Sequence, residues 1–585
     1  MGTSKFKRLI QFSYFISLIL ICTSLIVIKM KATFAGTLCL LILISLSGKT
    51  QTGCHPFSTY YGGTQSDEIK SILVDHDKNT YVTGNTYSTD LPVTPGLIND
   101  THSGSYDVFV AKFDSCGALL WSTYMGGSNF DSAEKMVLSS DGNLLICGYT
   151  SSINTFTTAG CFQPTQHGSY DAFISKISTS GHLMWSTLFG QAGGDFAYDI
   201  TVDKLGHIII GGTTTSTGLY TSAASFQQNI RGNTDAFIAR FSSSGMLNWC
   251  TYYGGNNSED IHVVTTDERC NVIGAGGSFS TNLNTSTGAH QSLNAGGVDG
   301  YLIKLDSSGA RIFSSYFGGN AIDDIWGVVC DAHLNIYLAG HTNSTDFDAT
   351  TGAYQAQLRG SSDLYLSKWS PTGTLLECTL FGGSMNDLLG RMVLSGPHEI
   401  TLAGKSESND VPMLGSQHQT IPGGNYDALL VKFDADLLEP VWSSYYGGDQ
   451  NEEVFDLVSY QGQFMVFAGS TNSTDFPLSA NPYQATLNNS MDGFITTLPV
   501  GNLITTGISA YDAKNTMTVF PNPFLDHLYV KGDGVTTAKL YDLYGHLLIA
   551  GSGPDIFLDT GAFPQGVYIL VVGSDTGSRS FRLIK

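Results

Sequence analysis

Residues 58–63 read Ser-Thr-Tyr-Tyr-Gly-Gly. The phrase returns as Ser122-Thr-Tyr-Met-Gly-Gly, Ser186-Thr-Leu-Phe-Gly-Gln, Cys250-Thr-Tyr-Tyr-Gly-Gly, Ser314-Ser-Tyr-Phe-Gly-Gly, Cys378-Thr-Leu-Phe-Gly-Gly and Ser443-Ser-Tyr-Tyr-Gly-Gly. The starting positions are 64 residues apart five times and then 65 apart. Other residues keep this register. A carboxylate follows each phrase at Asp67, Asp131, Asp195, Glu259, Asp323, Asp387 and Glu452. A glycine follows at Gly84, Gly148, Gly212, Gly276, Gly340, Gly404 and Gly469, and a second acid at Asp107, Asp171, Asp235, Asp299, Asp363, Asp427 and Asp492. A fixed period of this length is the mark of a repeat architecture, whose units bury their apolar faces against one another.

Within each copy, four short runs rich in β-branched and aromatic residues are bounded by Gly, Asn, Asp and Ser, the pattern of strands and turns. In the first copy they are residues 69–74, 80–83, 108–113 and 119–124. The phase of the repeat separates a closed ring from an open stack. An isolated strand at 57–61 precedes the first copy, and the seventh copy stops after its third strand at 493–499. An N-terminal strand that completes the last unit leaves no unpaired edge. The expected fold is therefore all-β: a seven-bladed β-propeller of 64-residue, four-stranded blades, closed by the N-terminal strand.

These motifs resemble a known family. Gly-Gly followed by an acid, Asn79-Thr-Tyr-Val-Thr-Gly, Ser473-Thr-Asp-Phe-Pro and Asp107-Val-Phe-Val-Ala-Lys-Phe are similar to the SBBP-type β-propeller repeat of bacterial surface proteins. The resemblance covers residues 57 to 500 and implies a fold and a location, not a reaction. The sixth copy departs from it at residues 395–400, where the usual Asp-turn is missing.

The balance of charge narrows the function. With 28 basic and 50 acidic residues the net charge is −22, so nucleic acid is not an expected partner. Only 13% of the 585 residues are charged and 67 are Gly, which favours β-structure over helical bundles or disorder. No G-x-S-x-G elbow, H-E-x-x-H helix or P-loop occurs. The repeat's own acids also mask any glycosidase-type carboxylate pair.

Both recurring carboxylates are expected on the face that carries the long connection between second and third strands. The ring Asp67, Asp131, Asp195, Glu259, Asp323, Asp387 and Glu452 is a candidate binding site, for Ca²⁺ or for a cationic ligand. The alternative is that each acid accepts hydrogen bonds from turn N–H groups. The same connection carries an aromatic or His followed by Gln, at Gln163, Gln227, Gln291, Gln355, Gln419 and Gln484, with Asn99 in the first copy. This pair either pins the loop to its blade or presents rings for glycan stacking. The same choice applies to Trp121, Trp185, Trp249, Phe313 and Trp442 ahead of each phrase: packing between blades or a carbohydrate platform. The basic residue five places after the second acid, such as Lys112 or Lys176, lies on the other side of its strand, so it is not expected to pair with that acid.

The ends of the chain speak to export. Residues 1–50 form a leader with two apolar stretches, 9–28 and 32–46. The second follows Met30 and Lys31 and has the layout of a signal peptide, with translation beginning at Met30; the first is long enough to be a membrane anchor. Of the ten Cys, the eight outside the leader show no C-x-x-C spacing, so zinc is not expected and no cofactor is required, Ca²⁺ apart. Residues 51–500 are assigned to the propeller, 501–515 to a linker and 516–585 to a separate β-rich unit with the strand pattern of a small Ig-like β-sandwich. Its landmarks are Pro521, Asn522 and Pro523, then Gly545, Gly566, Tyr568 and the terminal Lys585. In this order they resemble the C-terminal sorting domain of type IX secretion cargo. That resemblance implies passage across the outer membrane of a Gram-negative bacterium, with the type IX machinery as partner and a secreted or cell-surface location. The expected function is a surface binding or adhesion module for a glycan or protein, contacting membrane only through its leader or its surface attachment. A polysaccharide-active hydrolase or lyase and a purely structural surface protein are the alternatives.

Overall fold

The computed structural model describes residues 56–499 apart from 155, 397, 461, 463 and 489, and, from 518 onward, the strands 518–520, 527–531, 535–541, 547–552, 555–559, 567–574 and 577–584 with adjoining turns. The leader, the linker and every sorting landmark except Tyr568 lie outside the described residues. All regular structure described is β.

Residues 58–499 form seven four-stranded antiparallel sheets. The first comprises Asp67–Val74, Thr80–Thr86, Asp107–Phe113 and Leu119–Met125, hydrogen-bonded in chain order. The next five repeat this arrangement, beginning at Asp131, Asp195, Val263, Asp323 and Asp387. The seventh holds Glu452–Tyr460, Phe464–Thr471 and Asp492–Pro499, and its fourth strand is the N-terminal Ser58–Tyr61, paired Ser58 to Thr496 and Tyr61 to Gly493. The four strands of the first sheet run one to three residues longer than the sequence periodicity predicts, chiefly because the recurring acids and the residues after Gly84 join the ladders, while the N-terminal strand begins at Ser58, one residue later than expected.

The first strand of each sheet neighbours the first strand of the next, and that of the seventh neighbours that of the first, which closes a ring. One backbone hydrogen bond also ties adjacent sheets. Asp131 N–H donates to Tyr106 O at 2.8 Å, and the step repeats to Asp67 N–H on Met491 O at 3.2 Å. Second strands such as Thr80–Thr86 are buried at every residue because sheets cover both faces. Four of the rings ahead of the phrases, Trp121, Trp185, Trp249 and Phe313, pack against the turn of the following sheet, where a Cβ on Gly181 would lie 3.2 Å from Trp121 and one on Gly245 2.8 Å from Trp185; Trp442 instead packs on its own sheet's long connection and donates to Ser416 O at 2.8 Å.

The sixth sheet compensates for its missing turn acid by lengthening its hairpin strands to Asp387–Gly396 and Glu399–Ser406. Glu399 then takes the acid's role by pairing with Lys432 at 3.0 Å. In three other sheets the corresponding base reaches the acid of its own hairpin turn, Lys176 to Asp141 at 2.7 Å, Arg240 to Asp203 at 2.5 Å and Lys304 to Asp267 at 2.9 Å, whereas Lys112 and Lys368 lie over the rings of Tyr81 and Tyr337. Beyond the ring, Thr518–Phe520, His527–Lys531 and Asp555–Asp559 form one sheet, and Val535–Tyr541, Leu547–Ser552, Val567–Ser574 and Gly577–Ile584 form another. Leu528, Val530, Leu540, Leu558 and Leu570 share a core.

Candidate functional site

All seven carboxylates of the predicted acidic ring are fully buried. Asp131 shows the common arrangement. Its Oδ2 accepts the Gly127 N–H at 2.7 Å and the Ser152 hydroxyl at 2.8 Å, while Oδ1 accepts the Thr150 hydroxyl at 2.5 Å. The second acid is equally buried. Asp171 accepts the His167 N–H at 2.9 Å and the Gln163 side-chain amide at 2.5 Å, and the Gln163 carbonyl accepts the Gly190 N–H at 2.9 Å. Five further glutamines repeat that bridge. In the first copy Asn99 bonds Ser103 instead, and Asp107 Oδ1 is left without a partner.

The two acids meet across each junction. A Cβ on Gly126 would lie 2.6 Å from Asp107 Oδ1 and 3.1 Å from Asp131 Oδ2, so the phrase needs a residue without a side chain there. Burial raises the pKa of both acids at every junction, to about 6 for Asp195, Asp299, Asp387 and Asp492, and the facing carboxylate adds to the rise at these four. Among the described residues, the metal-ligating side chains that could share one ion are Asp75, His76 and Asp77 on an exposed hairpin turn, not these acids.

Three residues beyond each buried acid the repetition ends. The positions equivalent to Lys70 carry Glu134, Tyr198, His262, Trp326, Gly390 and Phe455, seven different residues. In six sheets the ladder skips this residue as a β-bulge; in the fourth the strand begins only at Val263. A bulge re-aims its side chain, and all seven line one cavity of about 650 Å³ at the centre of the ring. That volume is typical of small-molecule sites.

The cavity walls are mixed. His262 stacks on Trp326 with centroids 4.1 Å apart, and both contact Asp324, His262 Nδ1 at 3.3 Å and Trp326 Nε1 at 3.2 Å. Burial lowers the basicity of His262, but Asp324 outweighs it and the pKa is raised. His341, also lining the cavity, is held below its usual value by burial, and its Nδ1 has no partner. Opposite, Lys70 lies 3.8 Å over the Phe455 ring and pairs with Glu68 at 2.8 Å, and Lys405 pairs with Glu453 at 3.0 Å.

One residue further along each strand, a buried ionic network spans the ring. Lys135 pairs with Asp456 at 2.5 Å, Arg391 reaches Asp199 at 3.2 Å and Asp456 at 3.5 Å, and Ser71 donates to Asp456 at 2.6 Å. Five sheets are joined through it. Burial raises the Asp456 pKa, but Lys135 and Arg391 overcome this and hold it below the usual carboxylate range. Lys135 and Arg391 also form part of the cavity wall.

Sequence reasoning missed the cavity and the network. A signal was present: position 70 and its equivalents are the place inside the first strand where every copy differs. Of the sorting landmarks, Tyr568 is described; it is buried and donates its hydroxyl to Pro564 O at 2.6 Å.

Residues 57–92 match the SBBP family, described as a β-propeller repeat. Two proteins are similar over much of the chain. An uncharacterized WD repeat-containing protein of Acanthamoeba polyphaga mimivirus is 20% identical over 412 residues, covering 58% of this chain and 30% of the relative. Regulatory protein FlaEY of Caulobacter vibrioides is 19% identical over 404 residues, covering 64% and 41%. The chain thus spans less than half the length of either relative. Among solved structures, virginiamycin B lyase from Staphylococcus aureus is 12% identical with a TM-score of 0.36, covering 76% of this chain and all of that one. A member of the DUF4221 family from Bacteroides vulgatus is 9% identical with a TM-score of 0.29, covering 60% and 91%. With the matched segment repeated in register through six further copies, the chain is a β-propeller repeat protein.

Proposed function

We propose that the seven sheets are the blades of one propeller and that this propeller is an exported binding module whose ligand enters the central cavity. The observation that carries the reading is the set of seven unlike residues at one repeat position, six side chains and Gly390, all lining that cavity. A position that only builds the fold repeats; one that recognises an asymmetric ligand has to differ from copy to copy. The C-terminal sheets are read as the Ig-like sorting domain of the type IX route, with the protein secreted or held at the cell surface. The disulfide at Cys116 suits an oxidising compartment.

The rim acids are read as structural. The hydroxyl and N–H donors of their own blade occupy most of their oxygens, leaving too few for the six to eight that Ca²⁺ requires. EDTA is therefore expected to leave the melting temperature unchanged, and a drop would restore calcium.

The binding reading is tested by screening the purified protein against glycans, peptides and small metabolites, with product analysis. Retained, unaltered ligand whose binding is lost in Trp326→Ala supports it. Binding indifferent to Trp326→Ala and Tyr198→Ala would move the site away from the cavity. An enzymatic reading draws on His262 paired to Asp324 beside His341, a pair of unlike protonation suited to acid–base work; consumption of a ligand would favour it. The export reading is tested by deleting residues 516–585, which should leave the propeller in the periplasm.

A further inference from the structure

The cavity's carboxylates divide into two groups. Of those that line it, Glu453 pairs with Lys405, and the other lining bases are already held by carboxylates outside the lining: Lys70 by Glu68, His262 by Asp324, Lys135 by Asp456, and Arg391 by Asp199 and Asp456. Glu134 and Asp260 line the same cavity, and among the described residues neither makes an ion pair. Glu134 accepts one hydrogen bond, from the Ser132 hydroxyl at 2.9 Å; burial raises its pKa, and the nearby charge of Lys70, itself paired to Glu68, works against that rise.

These two acids lie on one side. Glu134 is in the second sheet and Asp260 just ahead of the fourth, with Tyr198 of the third between them in ring order. Tyr149, which pairs with Ser132 across the second sheet's hairpin, completes the group. Burial raises the Tyr198 pKa, and the charges of Asp260 and Glu134 raise it further, so both carboxylates act at its hydroxyl. The rings continue as an unbroken arc: Tyr149 to Phe196 at 4.9 Å, Phe196 to Tyr198 at 6.5 Å, Tyr198 to His262 at 6.3 Å and His262 to Trp326 at 4.1 Å. The remaining polar wall is already neutralised, and His341 Nδ1 stands unpartnered in the same cavity.

Resting on the reading of the cavity as the binding site, we propose that its ligand carries an ammonium group, taken by Glu134 and Asp260 against Tyr149 and Tyr198. Aromatic faces attract cations through their quadrupole, and the attraction grows when the group is desolvated. Two unpaired carboxylates in a partly buried wall supply the counter-charge, so an anionic ligand is disfavoured there. The aromatic arc from Tyr198 to Trp326 would stack the apolar face of the ring that bears the amine, as in an amino sugar.

The test is calorimetric titration of the intact purified protein with glucosamine, N-acetylglucosamine, glucuronate and choline. Glucosamine should bind roughly tenfold or more tightly than its N-acetyl form, which differs by the lost charge, and glucuronate should be weakest. Choline binding as tightly as glucosamine would show that the ammonium alone suffices; weaker choline would show that the sugar ring contributes, and either agrees with the proposal. Glu134→Gln and Asp260→Asn should each weaken glucosamine roughly tenfold with an unchanged melting curve. Equal affinity for the amine and the acetamide, full binding in both variants, or no binding of either amine would overturn the proposal. If neutral or acidic ligands from the wider screen bind and depend on Trp326 while amines do not, the cavity reading survives and only this inference fails.

Discussion

Asp67 and Lys70 stand three residues apart in one strand, and their equivalents behave oppositely around the ring. At the first position every copy has an acid, buried and hydrogen-bonded to the N–H four residues back, a glycine in six copies and Gln191 in the third, and to hydroxyls in or just past the next strand. At the second no two copies agree, and the seven residues, Gly390 among them, line one cavity. The first position solves a problem local to each blade junction, so the solution is copied. The second faces a space that exists once, so nothing requires copies to match.

The largest expected effect breaks the single-copy side. Lys135→Met removes the cation from a buried pair and should cost about 3–5 kcal/mol, read as a fall in denaturant midpoint. A loss below about 1 kcal/mol would mean that Arg391 alone neutralises Asp456. Next comes the copied side: Asp131→Ala strands the Gly127 N–H and two hydroxyls and should cost about 2–3 kcal/mol. Gly126→Ala pushes a methyl between two carboxylates and should cost about 1–3 kcal/mol. If either rim change proves neutral in a melting experiment, the acids are not holding the junctions.

Acidity sharpens the contrast. The rim acids have folded pKa values raised by burial, about 6 at four of them, above their unfolded values. Their stabilising contribution is complete below the unfolded pKa and is lost as pH rises through the folded one. The melting temperature should therefore rise between about pH 7.5 and pH 5, opposed by His341 and His418, which burial keeps neutral. Below about pH 4 the gain reverses, as Asp456 and other acids with lowered values become protonated. Asp195→Asn should shrink the gain between the two higher pH values, and an unchanged gain would assign it to other groups. The smallest effect belongs to the cavity: Trp326 is 37% exposed, and Trp326→Ala should change stability by under about 1 kcal/mol while abolishing ligand binding.

Much of this was legible from the chain itself. The phrase spacing, the four runs per copy and the two recurring acids all recur within one repeat, where turn chemistry and strand alternation apply; that the recurring Gln bridges the second acid came only from the structure. The choice between ligand-binding and hydrogen-bonded acids was open in the sequence; Asp131 and its equivalents retain no exposure, and the structural role proposed for them rests on that depth. The basic residues at Lys176 and Lys304 were read only as not facing the second acid. Their partners, Asp141 and Asp267, sit in the hairpin across the strand ladder, a neighbour that alternation along one strand does not reveal.

The sequence by itself determined the repeat, its strands, its closing N-terminal segment and the positions of the recurring acids, because those features return at fixed separations. Tertiary structure alone decided the central site. The bulges at positions such as Lys70 and Glu134 break the two-residue alternation from which a face would be read. Ring closure then brings Lys135 to Asp456 across 321 residues of chain, a contact that no local pattern encodes.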